Sequence, residues 1–322
     1  MKPPYEVSSE ILKLITAISE KIGEVNAKHL VKQNPTLRKQ NKIKTIHSSL
    51  SIEGNTLSEE QITAILDNKR VVGPQKDIVE VLNALEVYKG LNFLKYQSEK
   101  DFLKAHKLLM KELKEKSGAY RRSGVGIVKG SKVEHIAPPY ENVPFLMKDL
   151  FEYLKDKSEI TLIKSCVFHY EMEFVHPFMD GNGRMGRLWQ TLILMSEYEI
   201  FEFLPFETLI SKNQEEYYKV LSTCDKEGKS TKFIEYMLRI INTSLSDLLE
   251  HTTKKLNETE RLELFIEKRN EEFTRKDYMK FFPELSSATA SRDLKNGVEK
   301  EMITKIGNKK TTVYSKKSTN QI

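Results

Sequence analysis

Twelve consecutive residues hold an imidazole, a carboxylate, a pair of closely spaced glycines and two guanidinium groups: His176-Pro177-Phe178-Met179-Asp180-Gly181-Asn182-Gly183-Arg184-Met185-Gly186-Arg187. Each group has a task in handling a phosphate chain. An imidazole moves protons near neutral pH, and a carboxylate anchors a hard cation. Glycines let a backbone approach a ligand closely. The planar fork of arginine makes paired hydrogen bonds to phosphate oxygens, which lysine cannot do. A base, a metal anchor, a backbone cradle and two cationic clamps are what phosphoryl or nucleotidyl transfer asks of a protein.

The flanking residues must position this stretch. Upstream, Ile160, Ile163, Val167, Tyr170 and Phe174 recur at helical spacing, and downstream Met185, Leu188, Leu192 and Met195 do the same, so the pattern predicts helix, tight loop, helix. Glycines at 181 and 183 are expected to supply positive φ and close approach, with the unpaired amides of the second helix facing back at the loop. Such a terminus favours anions. Gly181-x-Gly183-x-x-Gly186 also satisfies the dinucleotide fingerprint, but that reading needs a preceding strand, and Lys164 to Val175 has the period of a helix. No Gly-Lys-Ser/Thr follows, so a Walker A loop is excluded as well.

The stretch carries His-Pro-Phe-x-Asp-Gly-Asn-Gly-Arg-x-x-Arg in full and resembles the signature of Fic-domain proteins. The resemblance implies a mainly α fold, a Fic helical bundle, and transfer of AMP from ATP to a protein hydroxyl with release of pyrophosphate. It implies that His176 is the general base, a role suited to its ordinary pKa. It assigns Asp180 to a magnesium ion bridging the phosphates, although a helix N-cap is an alternative for that residue. Gly181, Asn182, Gly183, Arg184 and Arg187 would cradle the ATP phosphates. Phe178 is expected to anchor the loop inward, and Trp189 to lie in the core.

Far upstream, Ser49-Leu50-Ser51-Ile52-Glu53-Gly54 follows a run with Ile43, Ile46 and Leu50 on one helical face. Glu53 therefore falls at a helix C-terminus that Gly54 can end, where an acidic group is unfavourable unless it finds a cation. The spacing is similar to the inhibitory motif of Fic proteins that carry their own autoinhibitory helix, here about residues 41–54. That resemblance pairs Glu53 with Arg187, which would keep the γ-phosphate from docking. In some relatives this glutamate also serves removal of AMP, so a two-way enzyme stays open.

Gly118-Ala119-Tyr120-Arg121 and the following Val125, Gly126, Ile127 and Val128, with a return through Val133 and Ile136 around Gly130-Ser131, predict a β-hairpin. An isolated hairpin in a helical chain needs a reason. It resembles the Fic flap, which holds a target segment by main-chain pairing; a mere cover for the core is the alternative. Asn213 to Leu238 reads as helical, and Tyr217 and Tyr218 are similar to residues that border the adenine in relatives, with core packing open for at least one. Helices are also expected over 8–26 and 58–90.

The chain has 322 residues, 39% hydrophobic and 30% charged, which describes a folded protein of two or three modules. No apolar run reaches bilayer length, the first residues lack a signal h-region, and Cys166 and Cys224 are its two cysteines. A cytoplasmic protein without a membrane role is expected. The net charge of +6 lies entirely in residues 268–322, with 13 Lys and Arg against 7 Asp and Glu. A helix opened by Thr274, a turn at Pro283 to Ser287, a helix from Ala288 to Glu299 and a hairpin from Met302 to Tyr314 turning at Gly307-Asn308 resemble a winged helix-turn-helix. Ser315 to Ile322 are expected to lack structure.

Three regions follow: 1–95 with the inhibitory helix, 96–250 as the catalytic core and 260–316 as the winged helix. Its recognition helix and Lys309-Lys310 could meet DNA phosphates, while the same fold also serves protein docking or a homodimer. Two functions stand side by side. One is an autoinhibited protein adenylyltransferase using ATP and magnesium on a protein target or on itself. The other is a DNA-binding regulator whose Fic core senses nucleotide without turnover.

Overall fold

In the first helix, α1 (Ser9–Ala27), Ile11, Leu14, Ile18, Ile22 and Val25 recur every three or four residues and form one buried stripe. The computed structural model describes residues 3–27, 35–114, 116–129, 132–253, 257–267, 272–282, 285–307 and 312–316. Among them are fourteen α-helices and two small antiparallel sheets, divided between two units, Met1–Glu250 and His251–Ile322.

In the first unit, α2 (Pro35–Ile52) buries Ile43, Ile46 and Leu50 as expected, together with Ser48 and Ser49. It ends where Gly54 adopts φ +89°, a conformation glycine reaches without strain. The span 58–90 is two helices rather than one. α3 (Glu59–Leu66) opens on a capping box between Ser58 and Gln61, and α4 (Gln75–Lys89) begins after Pro74. α5 (Glu99–Leu109) is capped by Ser98. The predicted hairpin forms as β1 (Gly126–Lys129) and β2 (Lys132–Ile136), antiparallel with a register irregularity between Ile127 and Val128. The Gly130-Ser131 turn lies outside the described residues.

α6 (Val143–Leu154) leads to α7 (Thr161–Val175) and α8 (Asn182–Met195), the two helices that flank the signature loop. Every residue of α7 from Leu162 to Tyr170 is buried. A helix buried on all sides is the centre of its unit. Its polar members are satisfied: the Lys164 ammonium donates to Asp156 O, and both ring nitrogens of His169 have partners. The element ahead of the glycines is thus a helix, and the dinucleotide reading falls. α9 (Glu207–Lys212) precedes α10 (Gln214–Glu227) and α11 (Thr231–Thr253). The expected continuous helix over 213–238 is broken because Gly228 takes φ +65° and caps α10.

The second unit holds α12 (Glu258–Glu267), α13 (Arg275–Phe281), α14 (Ser287–Glu299), β3 (Ile303–Ile306) and β4 (Val313–Lys316). Thr274 caps α13 through a capping box with Asp277, and Ser286 caps α14. Leu262, Phe265, Phe273, Tyr278, Leu294 and Ile303 form its core. Asp293, buried there, accepts a forked pair from Arg261 at 2.7 and 2.9 Å and the Tyr278 hydroxyl at 3.1 Å. Ser315 and Lys316, expected to lack structure, belong to β4 and pair with Thr304 and Ile303. Asn308, Lys309 and Lys310 of the expected wing, and residues 317–322, lie outside the described residues.

Candidate active site

α7 stops at His176, which takes a left-handed conformation, φ 48° and ψ 58°. For a residue with a Cβ this costs about 1–2 kcal/mol. Arg121 offsets it: Nε donates to His176 O (2.8 Å), and the Arg121 amide donates to Pro177 O (2.8 Å). The chain then turns inward. Phe178 is fully buried, packed against Phe102 and stacked on the ring of His106 with centroids 3.6 Å apart. Trp189 joins the same aromatic cluster through Phe102.

Asn182 closes the loop from the inside. Its Oδ1 accepts from the Phe178 amide (2.8 Å) and its Nδ2 donates to Phe178 O (2.9 Å). Both ends of the side chain are therefore engaged by backbone, which fixes the loop that carries the expected phosphate cradle. No side chain caps the N-terminus of α8. Its first amides form a ready anion site.

The two expected flexible glycines differ. Gly181 has φ +82°, as a tight entry into α8 requires. Gly183 does not have positive φ and is glycine for space. A Cβ there would lie 2.5 Å from Glu53 Oε1, 3.0 Å from Arg187 Nη1 and 3.3 Å from Glu173 Oε1. Gly186 has the same reason one turn later, facing His169 Cδ2 at 2.8 Å.

Each signature arginine meets a carboxylate. Arg184 is held by Glu80 of α4 (Nη1 to Oε1, 3.1 Å) and by Asp180 (Nη2 to Oδ1, 3.1 Å). Glu80 Oε2 also accepts from Asn55 Nδ2 at 2.9 Å, which joins the segment after α2 to Arg184. Arg187 is fully buried and donates to Glu53 Oε1 (2.7 Å), Ser49 O (2.9 Å) and Ser49 Oγ (3.1 Å). Burial works against its charge, but the Glu53 carboxylate beside it prevails and raises its pKa above the ordinary value.

Asp180 does not cap α8. Its Oδ1 accepts from the Gly181 amide (2.7 Å), and Lys114 Nζ lies 3.4 Å from Oδ2. Partial burial disfavours its charge, yet Arg184, the Gly181 amide and Lys114 outweigh this and hold the carboxyl below the usual range. An ionised, half-exposed carboxylate beside an anion-binding helix terminus fits magnesium, which takes one or two carboxylates and completes its shell with phosphate oxygens and water. No cage of three or more ligating side chains is present among the described residues.

Tyr217 and Tyr218 separate. Tyr217 is buried, its hydroxyl donating to Glu173 Oε1 (3.2 Å) and lying 3.0 Å from His169 Nε2. Tyr218 is exposed. Burial disfavours the Glu173 carboxylate, but His169, His176 and Arg187 outweigh it and keep its pKa low. Val125 is half-buried and leads into β1, where Gly126 pairs with Ile136, Ile127 with His135 and Val128 with Val133.

Sequence reasoning gave no task to His106, Arg121 or Glu80. The His106 Nδ1 accepts from the Gly118 amide (2.8 Å), so Nε2 carries the hydrogen and donates to Asp180 O (3.0 Å). Burial pushes its pKa down to about 4, which keeps the ring neutral. Gly118-Ala119-Tyr120-Arg121 was a visible segment; its contacts with the loop were not.

The Fic/DOC family model matches residues 96–194, a span that includes the whole signature loop. The chain is 30% identical to protein adenylyltransferase fic-1 of Caenorhabditis elegans over 213 residues, 62% of this chain and 40% of that protein. It is 28% identical to protein adenylyltransferase Fic of Nematostella vectensis over 220 residues, 65% of this chain and 49% of the relative. The chain thus spans less than half the length of these relatives. Among solved structures, C. elegans Fic-1 covers 76% of this chain, and is itself covered over 73%, at 23% identity and a TM-score of 0.63, a likeness of fold. A Fic family protein from Desulfovibrio desulfuricans G20 aligns over 100% of both chains with 38% identity and a TM-score of 0.77. With that match along its whole length and an intact signature at the head of α8, the chain belongs to the Fic family.

Proposed function

We propose that this protein is an adenylyltransferase that moves AMP from ATP to a Ser, Thr or Tyr hydroxyl of a protein, itself included, and that Glu53 holds it inactive. The observation that carries the transfer reading is the complete signature folded around the uncapped N-terminus of α8, with a base at one end and two arginines at the other. The names of the relatives agree with it.

His176 Nδ1 lies 3.4 Å from Glu173 O. A carbonyl only accepts, so the hydrogen sits on Nδ1, and Nε2 is the nitrogen that takes the proton from the incoming hydroxyl. The hydroxyl oxygen then attacks the α-phosphorus, the bond to the β-phosphate bridge breaks, and pyrophosphate leaves with the electron pair. The α8 amides and Arg184 stabilise charge at the α- and β-phosphates. Magnesium bound at Asp180 would neutralise the phosphate chain. Arg187 is the clamp for the γ-phosphate, and Glu53 occupies it.

A hydrogen bond between charged groups contributes about 1.5–3 kcal/mol. Removing the Glu53 carboxylate should therefore raise the transfer rate about 10- to 150-fold, at about 1.4 kcal/mol per factor of ten. The test incubates wild-type, Glu53→Gly and Glu53→Gly/His176→Ala proteins with α-labelled ATP, magnesium and a cell lysate. Label should pass to protein fastest with Glu53→Gly and not at all with the double variant. Equal labelling by wild type and Glu53→Gly would remove the autoinhibition; no labelling by either would remove the transferase reading.

A further inference from the structure

The buried guanidinium of Arg121 is spent wholly on main-chain carbonyls. Nε donates to His176 O (2.8 Å), Nη1 to Ser123 O (3.0 Å), and Nη2 to Val175 O (3.3 Å) and Pro138 O. Ser123 lies just ahead of β1 and Pro138 just after β2, so the two roots of the hairpin meet on one side chain. The same side chain grips the last carbonyl of α7 and that of the left-handed His176, while the Arg121 amide donates to Pro177 O.

A second tie runs beside it, from the Gly118 amide through His106 to Asp180 O. Gly118 itself has φ +81°, and a Cβ there would lie 2.8 Å from Lys107 Cβ, so the segment is seated tightly against α5. A fork of five N–H groups satisfies four carbonyls from three directions; an ammonium with three donors on a flexible stem cannot copy it.

We propose that Arg121 is a positioning residue that locks the β1–β2 hairpin and the backbone of His176 into one rigid piece, fixing the target hydroxyl at the distance from which His176 takes its proton. The inference rests on the adenylyltransferase reading and adds to it the residue that sets base-to-target geometry. An ordinary structural arginine would tolerate lysine wherever the fold survives. This one should not, since its work is geometric and misplacement of reacting groups by an ångström costs about 100-fold.

The experiment has two arms on the full chain. In the first, amide hydrogen exchange compares wild type with Arg121→Lys and Arg121→Gln. Exchange should rise together in residues 123–138 and 176–179 and stay unchanged in α4 and α11. In the second, the same substitutions are placed in Glu53→Gly protein, and transfer is followed against target and against ATP. The kcat should fall and the KM for protein target rise, together about 10- to 100-fold in kcat/KM, with the KM for ATP within about twofold and lysine failing to rescue. Unchanged exchange in the hairpin, or full rescue by lysine, would overturn the proposal. If Glu53→Gly protein transfers nothing, the transferase reading fails by itself and the exchange arm still decides the role of Arg121. Should Arg121→Gln fail to fold, Arg121→Lys keeps both arms readable.

Discussion

Glu80 tests whether the contacts around Arg184 are as tightly arranged as the distances say. Both groups are buried, with side-chain exposures of 4% for Glu80 and 5% for Arg184. Glu80→Ala takes away one partner of a buried pair, which costs about 3–5 kcal/mol because it leaves an uncompensated charge. Asp180 still holds Arg184 Nη2, and Asn55 Nδ2 still has Asp77 O at 3.1 Å, so the lower end, about 3 kcal/mol, is expected. In a unit of 250 residues, each kcal/mol moves the melting temperature by about 2–4 °C, so the transition of this unit should fall by about 6–12 °C. Glu80→Gln gives a finer comparison. Its amide nitrogen must face either Asn55 Nδ2 or Arg184 Nη1, both donors, so it should lie between wild type and alanine. Scanning calorimetry reads both variants. Melting within about 2 °C of wild type for both would refute the claim that this carboxylate holds Arg184.

His106 gives a pH prediction. Its folded pKa of about 4 lies below the ordinary 6.5, so the unfolded chain binds the proton first and stability falls as pH drops through that window. The full loss is about 3 kcal/mol; the advantage of wild type over His106→Gln, measured by denaturant unfolding, should shrink by about 2 kcal/mol between about pH 7 and 4.5, and a constant difference would contradict it. Gly183→Ala and Glu53→Gly should be coupled, because the new Cβ meets Glu53 Oε1 at 2.5 Å. The alanine should cost less once that carboxylate is gone, by about 0.5–3 kcal/mol in a double-mutant cycle, and additive effects on unfolding free energy would refute the contact.

What the sequence revealed, and what it hid, follows from the range of the interactions. The helices beside the signature were legible because their period is local, and so was the end of α2 at Gly54, since few residues other than glycine take φ +89°. Gly183 was misread for a physical reason: a glycine in sequence does not say whether it supplies conformation or space, and here the demand comes from Glu53, 130 positions away. The break at Gly228 was missed because apolar spacing continues across it in Phe233 and Ile234. Arg121 was hidden because its partners are carbonyls, which every residue carries. Glu80 and His106 were hidden because nothing on α4 or α5 marks which helix face will meet the loop. Even a full signature names the groups without naming what holds them.

The network also limits how Arg187 can be released. Two residues beyond Glu53, Asn55 donates to Glu80, and Glu80 holds Arg184. The segment after α2 therefore reaches both arginines, one by direct occupation and the other through a support. Withdrawing the whole helix end would free Arg187 but also strip Glu80 of the hydrogen bond from Asn55. Turning the Glu53 side chain alone breaks one hydrogen bond. Its side chain is 25% exposed, so it has water to turn into, and Arg187 keeps Ser49 O and Ser49 Oγ. On the proposed reading, rotation of Glu53 leaves every support of Arg184 untouched, whereas departure of the helix end takes Asn55 from Glu80 and leaves Arg184 to Glu80 and Asp180. The smaller motion breaks the Glu53 contact and spares the Asn55 one.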